Sequence, residues 1–471
     1  MNPKRTMIKA LLIGLASVSI SLTPSSLVPS LALAVNLLIG LAVGAVTHVL
    51  VPQCTDLLIS AGLFGRDLHR PGRPKVPEAT GVVLGAAYAS GLALFLPFVY
   101  RENEKNLLMF MGALLSINSM CFLGFADNVL NLRWRVKLIV PFVASLPLLL
   151  LYYSTGGSTS VLLPPVISNS LFGSPTAIQL GPIFYVFLAC LAVFGTNAIN
   201  ILAGVNGLES GQTVVLAGSL CLNSAIQFAS LRLSFFLLWP FLCGSVALYR
   251  YNRYPASVFV GDTFCYLSGM TLAASGVIGH CTKTVLLFML PQVVNFLYSL
   301  PQLLKVIPCP RHRLPVYLAD QDLVGVSFTD WIGEDDLNRM GWAVVRLLEV
   351  LRLAEVQKIP CDRMTDTAVS VDHGPMGVPL KSPTTATTRS SASTPSLMHE
   401  REEEHLVCSI SQRGIKVRVQ NLTLLNLVLW KLGPMHEESL TRCLLGIQIA
   451  WSLCAFWLRY YVAELVYSSS V

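Results

Sequence analysis

About ten stretches of mostly apolar residues run through the chain, each long enough to cross a hydrocarbon layer roughly 30 Å thick as a helix of about 17 to 25 residues. They lie near 29–51, 79–99, 107–125, 137–153, 183–202, 213–229, 231–249, 263–279, 284–304 and 444–467. That pattern reads as an all-α polytopic membrane protein with about ten transmembrane helices. The composition agrees: 53% of residues are hydrophobic and only 13% charged, with a mean hydropathy of +0.61. Such a chain is solvated largely by lipid.

Basic residues of short loops stay on the cytosolic side. Arg66, Arg70, Arg73, Lys75, Arg133, Arg135, Lys137, Arg250 and Arg253 fall in the loops after spans one, three, five and seven. The alternate loops hold Arg101, Lys105, Arg232 and Lys283. The division is then an N-terminal extension over 1–26, a membrane domain over 27–304, a cytosolic loop over 305–443, and a last span with the C-terminus over 444–471. In the extension, Lys4, Arg5 and Lys9 precede the apolar run from Ala10 to Ile20, the layout of a signal peptide or a short anchor. Within the large loop, about 365–404 is rich in Ser, Thr and Pro and cannot bury a core. Leu422 to Leu432 reads as an amphipathic helix on the membrane or as a buried helix of the loop. Asn421-Leu-Thr423 has the pattern of a glycosylation site that a cytosolic location would keep bare. Twelve cysteines are scattered without metal-ligand spacing. The net charge of +7 suits anionic lipid heads and nucleotide phosphates; nucleic acid is not an expected partner.

Four polar islands interrupt the apolar pattern, and the parity of the spans puts all four on the cytosolic face. Asp262 follows Gly261 at the mouth of an apolar run, where a carboxylate either caps the helix or holds a hard cation. Asn197 and Asn200 end another run before Gly204-Val-Asn-Gly207; they suit a C-cap and turn, or a Mg²⁺ or ligand contact. Asp127, Asn128, Asn131, Arg133, Trp134, Arg135 and Lys137 suit an interfacial anchor, which leaves Asp127 unexplained. Arg311-His-Arg313, fenced by Pro308, Pro310 and Pro315, suits either topology or fork-like recognition of phosphate. Together these groups form a kit for holding a metal-bound pyrophosphate. A secondary transporter, for instance of nucleotide sugars, is the alternative; against it, the polar groups gather at one face and no internal repeat is visible.

The strings Phe122-Leu-Gly-Phe-Ala-Asp127, Val129-Leu-Asn-Leu-Arg-Trp-Arg135, Thr196-Asn-Ala-Ile-Asn-Ile-Leu-Ala-Gly204, Val258-Phe-Val-Gly-Asp-Thr-Phe-Cys-Tyr266 and Pro308-Cys-Pro-Arg-His-Arg313 resemble the eukaryotic UDP-N-acetylglucosamine–dolichyl-phosphate N-acetylglucosaminephosphotransferases. The resemblance implies an endoplasmic-reticulum membrane enzyme that starts the lipid-linked oligosaccharide for N-glycosylation, is inhibited by tunicamycin and forms a homodimer. Carried over by position, it implies Mg²⁺ on Asn200 and Asp262, with Lys137, Arg311 and His312 clamping phosphate oxygens and Asp127 positioning the acceptor. Arg313 would read the N-acetylglucosamine, and Phe259 would stack on uracil framed by Leu68, Gly204 and Asn206. Asn131 and Trp134 would line the catalytic groove, with Glu78 near the nucleotide. UDP-N-acetylglucosamine and dolichyl phosphate are the implied partners. A bacterial-type polyprenyl-phosphate hexose-1-phosphate transferase is the other enzymatic reading. One departure stands out: the family's acidic pair is here Asp127-Asn128, and a carboxamide can neither take a proton nor offer a metal an anionic contact.

Overall fold

The computed structural model describes residues 28–130, 132–133, 136–162, 177–310, 313–332, 337–360 and 415–464. The N-terminal extension, the Ser/Thr-rich insertion, and Asn131, Trp134, Arg135, Arg311 and His312 lie outside the described residues. The chain divides into two compact units, one of residues 1–297, 317–324 and 435–471, the other of residues 298–316 and 325–434.

The first unit is helical. Its elements are α1 (Val28–Ser60), α2 (Gly81–Glu102), α3 (Glu104–Leu130), α4 (Val136–Ser154), α5 (Pro182–Ile201), α6 (Leu208–Ile226), α7 (Phe228–Asn252), α8 (Gly261–Ile278), α9 (Thr282–Phe288), the start of α10 (Leu290–Leu303) and α13 (Glu437–Trp457). Two short antiparallel hairpins intervene: β1 (Phe64–Arg66) with β2 (Lys75–Pro77), and β3 (Ser160–Leu162) with β4 (Ala177–Gln179). As far as they are described, all ten apolar segments fall on helices, yet length and composition qualify only seven as spans among the described residues, or eight if α9 and α10 form one bent span. The expected ten therefore exceeds what these criteria license. The helices that fall short are α6 and α8, and α8 shows why. Every residue from Thr263 to Ile278 is buried, because α8 packs among α2, α3, α5 and α7. A helix that lipid never touches does not need a lipid-compatible sequence. The hydroxyls of Ser268, Thr271 and Ser275 instead return to carbonyls of their own helix. Backbones pass close together at small residues: a Cβ on Gly124 of α3 would lie 2.6 Å from Thr263 Cα, and Gly269 of α8 abuts Gly195 of α5.

The bend of 71° between α9 and α10 has an identifiable cause. Pro291 lacks an N–H, so the Leu287 carbonyl four residues back loses its helical donor. In lipid that carbonyl must find another partner. The Trp451 indole of α13 donates to it at 2.6 Å, and Gln448 donates to the next carbonyl, that of Phe288, at 3.1 Å. Gln292 then donates to Gln448 Oε1 and to Gln212 Oε1, while Gln212 caps the Leu202 carbonyl at the end of α5. This buried amide chain ties the break to the helix that carries Asn200.

The second unit is a three-stranded antiparallel sheet, in the order β5 (Phe328–Ile332), β7 (Ile415–Gln420), β6 (Val356–Pro360), with α11 (Arg339–Val350) and α12 (Leu424–Leu432). The all-α reading did not include this sheet. Its core joins Tyr298, Ile307, Trp331, Val345, Leu348, Val417, Val419 and Leu422. Of the two readings of Leu422 to Leu432, the buried one holds, since Leu425, Asn426, Val428 and Leu429 are all interior. The sequon is occupied structurally: Thr423 caps α12 by accepting from Asn426 N–H, and buried Asn421 bonds to Ser327 and Gln302.

Candidate active site

Two helix ends and two helix starts converge in the first unit. Asp127, in the last turn of α3, is fully buried; its Oδ1 accepts from the Leu132 N–H at 3.0 Å and its Oδ2 from the Tyr266 hydroxyl at 3.0 Å. Lys137, in the first turn of α4, bridges two carboxylates, with Nζ at 2.8 Å from Asp127 and 3.2 Å from Asp262. Asn200, in the last turn of α5, donates to Asp262 Oδ1 at 2.7 Å. Asp262 itself lies in the first turn of α8, where the helix dipole favours a carboxylate.

The capping readings of these residues fail, for a physical reason. The N-cap position of α8 is Val260, and the free N–H of Thr263 is taken by Asn128 Oδ1 at 3.0 Å, with the Thr263 hydroxyl donating to the same oxygen at 2.8 Å. A side chain from another helix does the capping, which leaves Asp262 free to face Lys137 and Asn200. Likewise the C-cap of α5 is Leu202, so neither Asn197 nor Asn200 terminates that helix. Gly261 makes this possible: its φ is +71°, and a Cβ there would meet Asn128 Oδ1 and the Ala79 backbone.

Glu78 extends the cluster. Asn128 Nδ2 donates toward its Oε1 at 3.5 Å, and burial, then the nearby charge of Asp262, raise its pKa above the ordinary carboxylate value. Phe259 sits on the β1–β2 hairpin: its N–H donates to the Pro77 carbonyl at 2.8 Å, and a Cβ on Gly65 would come within 3.0 Å of its ring.

A second polar cluster lies around Asn206. Its Nδ2 donates to Asp67 Oδ2 at 2.9 Å and its N–H to Glu437 Oε1 at 2.7 Å, while His69 Nδ1 lies 3.2 Å from that same oxygen. Leu68, half-buried, stands between Asp67 and His69. Gly204, at φ +107°, gives its N–H to Glu209. The Asn206 side chain is therefore engaged inside the protein, and any part it takes in framing a ligand comes through the loop it fixes.

In the second unit, Arg313 is half-buried. Its backbone carbonyl accepts from Asn426 Nδ2 at 3.0 Å, and its Nη1 is buried with no hydrogen-bond partner among the described residues. Burial lowers its pKa. A desolvated guanidinium with an unused N–H is suited to an anion.

Among the described residues no three His, Cys, Asp or Glu side chains converge as a metal cage. The donor pair Asp262 and Asn200 still fits Mg²⁺, which is commonly held by one or two protein oxygens plus substrate phosphates. Turned end for end, the Asn200 carboxamide presents its oxygen where its nitrogen now faces Asp262. Of the sequence-derived candidates, Asp127, Lys137, Asn200 and Asp262 meet directly, with Glu78 reached through Asn128. Sequence reasoning missed Tyr266, one helical turn after Asp262, and the Asp67–His69–Glu437 group.

The comparisons coincide with this geometry. The family model described as Glycosyl transferase family 4 matches residues 109–280, the segment holding Asp127, Lys137, Asn200 and Asp262. The UDP-N-acetylglucosamine–dolichyl-phosphate N-acetylglucosaminephosphotransferase of Saccharomyces cerevisiae is 34% identical over 91% of this chain and 91% of its own length. The chain belongs to this transferase family. The member from Schizosaccharomyces pombe is 31% identical over 91% of this chain and 92% of its own length. The member from Dictyostelium discoideum is 42% identical over 58% of this chain and 74% of its own.

Proposed function

We propose that this membrane enzyme transfers N-acetylglucosamine 1-phosphate from UDP-N-acetylglucosamine to dolichyl phosphate, giving N-acetylglucosaminyl-diphosphodolichol and UMP. The observation that carries the reading is Lys137 held between Asp127 and Asp262 with Asn200 alongside, inside the segment that matches the family model. An oxygen of the lipid phosphate attacks the sugar-bearing phosphorus, the bond from that phosphorus to the bridging oxygen breaks, and UMP departs. A phosphomonoester with a second pKa of about 6 is mostly ionised at neutral pH, so the attack needs little help from a base. That is compatible with Asn at position 128, whose carboxamide is spent on capping α8.

Asp127 is sealed, while the Lys137 and Asp262 side chains keep 25% and 22% of their surface exposed. Asp127 therefore acts through Lys137: it fixes the ammonium, whose remaining N–H groups can face phosphate oxygens as charge shifts. Mg²⁺, when bound by Asp262 and Asn200, supplies neutralising charge to the pyrophosphate. Arg313, with Arg311 and His312, is assigned to the sugar and phosphates. Phe259, Leu68, Gly204 and Asn206 are assigned to the uracil side, Glu78 to its neighbourhood, and Asn131 and Trp134 to the groove. The reading extends to an endoplasmic-reticulum membrane, with the cluster facing the cytosol as the basic loops indicate, to tunicamycin as inhibitor and to a homodimer.

The test supplies purified protein with radiolabelled UDP-N-acetylglucosamine, dolichyl phosphate and Mg²⁺. Label should enter the organic phase. Absence of lipid-soluble product, with uptake of label into sealed vesicles instead, would overturn the proposal in favour of transport.

A further inference from the structure

The helix α11 has two apolar faces, and among the described residues the fold buries one. Gly341, Val345 and Leu348 are buried in the core of the second unit. On the other side Met340, Leu347, Val350 and Leu351 are 58%, 57%, 80% and 55% exposed, with Ala343 exposed among them. Their spacing, three, four, seven and eleven residues apart, lines one stripe of a helix. Exposed Arg339, Arg346 and Arg352 flank the stripe, and Glu349 is the one acidic residue of the helix. A contiguous apolar patch with a cationic edge marks a contact surface.

The position of α11 says which surface. Its first turn packs on Val306, where a Cβ on Gly341 would lie 2.7 Å from the Val306 carbonyl. Just past its other end, the Leu353 carbonyl accepts from the Tyr298 hydroxyl at 2.6 Å. Tyr298 belongs to α10, which ends at Leu303, three residues before Val306. Both ends of α11 are thus pinned to the last turns of the bent span and the residues just beyond it. Leu304, at that same end, is 65% exposed.

We infer that α11 is a membrane-surface helix, its stripe of Met340, Leu347, Val350 and Leu351 seated among the headgroups of the protein's own bilayer and its arginines on anionic lipid. The chemistry is that of an interfacial amphipathic helix, in which apolar burial and attraction of cations to acidic lipids act together. A tether at the end of a span leaves little ordering to be done on contact. The sequence leaves this role open for α12 as one of two readings, but the fold buries that helix and presents α11. The inference does not depend on which sugar nucleotide the active site takes.

The test places a nitroxide at one site at a time, Leu347→Cys, Val350→Cys, Arg346→Cys or Glu349→Cys, in full-length protein in nanodiscs of phosphatidylcholine and phosphatidylserine. Parent protein carried through the same labelling gives the background from its own thiols. Power saturation should show positions 347 and 350 favouring oxygen over a water-soluble nickel chelate several-fold more than 346 and 349. Free access of nickel at 347 and 350 would place the stripe in water and overturn the inference. Low access of both reagents would also overturn it, by showing that protein covers the face, either residues 361–414 or a partner. Met340→Cys, two turns away, repeats the measurement if one of these variants fails to fold. Replacing phosphatidylserine with phosphatidylcholine should make the labels shallower; unchanged depth would remove the role given to the arginines.

Discussion

Two buried polar clusters in the first unit are built from the same kinds of side chain and differ in one respect. Around Lys137 the ammonium and the Asp262 carboxylate remain about a quarter exposed. Around Asn206 the His69 and Glu437 side chains are only 4% and 3% exposed, and Asp67, His69 and Glu437 bond to one another and to the loop that bears Asn206, with Arg70 4.0 Å from Asp67. Charge taken out of water is costly in either place. The sealed cluster offsets that cost with internal partners, so it clamps three remote segments together. The open one keeps capacity in reserve for the substrate anion proposed above. Burial of charge does not by itself separate function from architecture; unfinished coordination does.

That distinction can be broken by a pair of isosteric changes. Asp262→Asn should lower turnover by roughly 10² to 10³, the usual size for loss of one charged group aimed at the reacting centre. The melting temperature should hardly move, because a carboxylate at the mouth of a helix is exchanged for a neutral group of the same shape. Unfolding of this variant would place the open cluster with the sealed one. Glu437→Gln should do the reverse, lowering stability by about 1–3 kcal/mol through lost buried hydrogen bonds while turnover at saturating substrate stays near the parent value. Loss of turnover with unchanged melting would reverse the assignment.

Smaller effects sharpen the picture. Asn128→Asp preserves the oxygen that accepts from Thr263 but sets a carboxylate against Glu78, whose pKa burial and Asp262 already raise. Turnover in the purified protein should change by less than about tenfold, roughly 1.4 kcal/mol in barrier. A rise of about three orders of magnitude would mean that the second acid is required and that this chain is impaired without it. The smallest effect belongs to Asp330 in the second unit. Burial alone would raise its pKa, but the hydrogen bonds and charges of Arg418 and Lys416, at 2.8 Å each, outweigh it and hold the carboxyl below its ordinary value. A depressed native pKa stabilises the fold above the unfolded value and loses that contribution as pH falls through the native one. Asp330→Asn should therefore cost about 0.5–1 kcal/mol at pH 7, and the difference from parent should vanish in acid; a gap that persists there would assign the loss to packing.

Much of the open cluster was legible because each member sits in a polar island between apolar runs, and the parity of the spans gathers the islands on one side. Tyr266 was within reach of the same reasoning, being one turn beyond Asp262 and inside a quoted string. Glu437 was not, since it meets His69 across 368 positions with no local pattern to mark either. Local capping rules misread Asp262 and Asn200 because the cap of α8 comes from α3, a tertiary event that a single stretch of sequence does not contain. Length and composition license fewer spans than the ten read from the sequence because α6 and α8, packed among neighbouring helices, carry buried Gln212, Asn223 and Thr271. The sheet of the second unit did leave a trace, the strict alternation of Ile415-Lys-Val-Arg-Val-Gln420, whose Val417 and Val419 are buried while Lys416 and Arg418 reach Asp330.

Trp451, Gln448 and Glu437 all belong to α13, the last of the described helices to leave the ribosome. Until it inserts, the Leu287 carbonyl lacks its indole donor, and the loops bearing Leu68 and Asn206, joined to each other through Asp67, lack the Glu437 clamp. A growing chain would hold every side chain of the open cluster and still lack that brace, so the competence proposed above should arrive late and at one step, with the docking of a single helix.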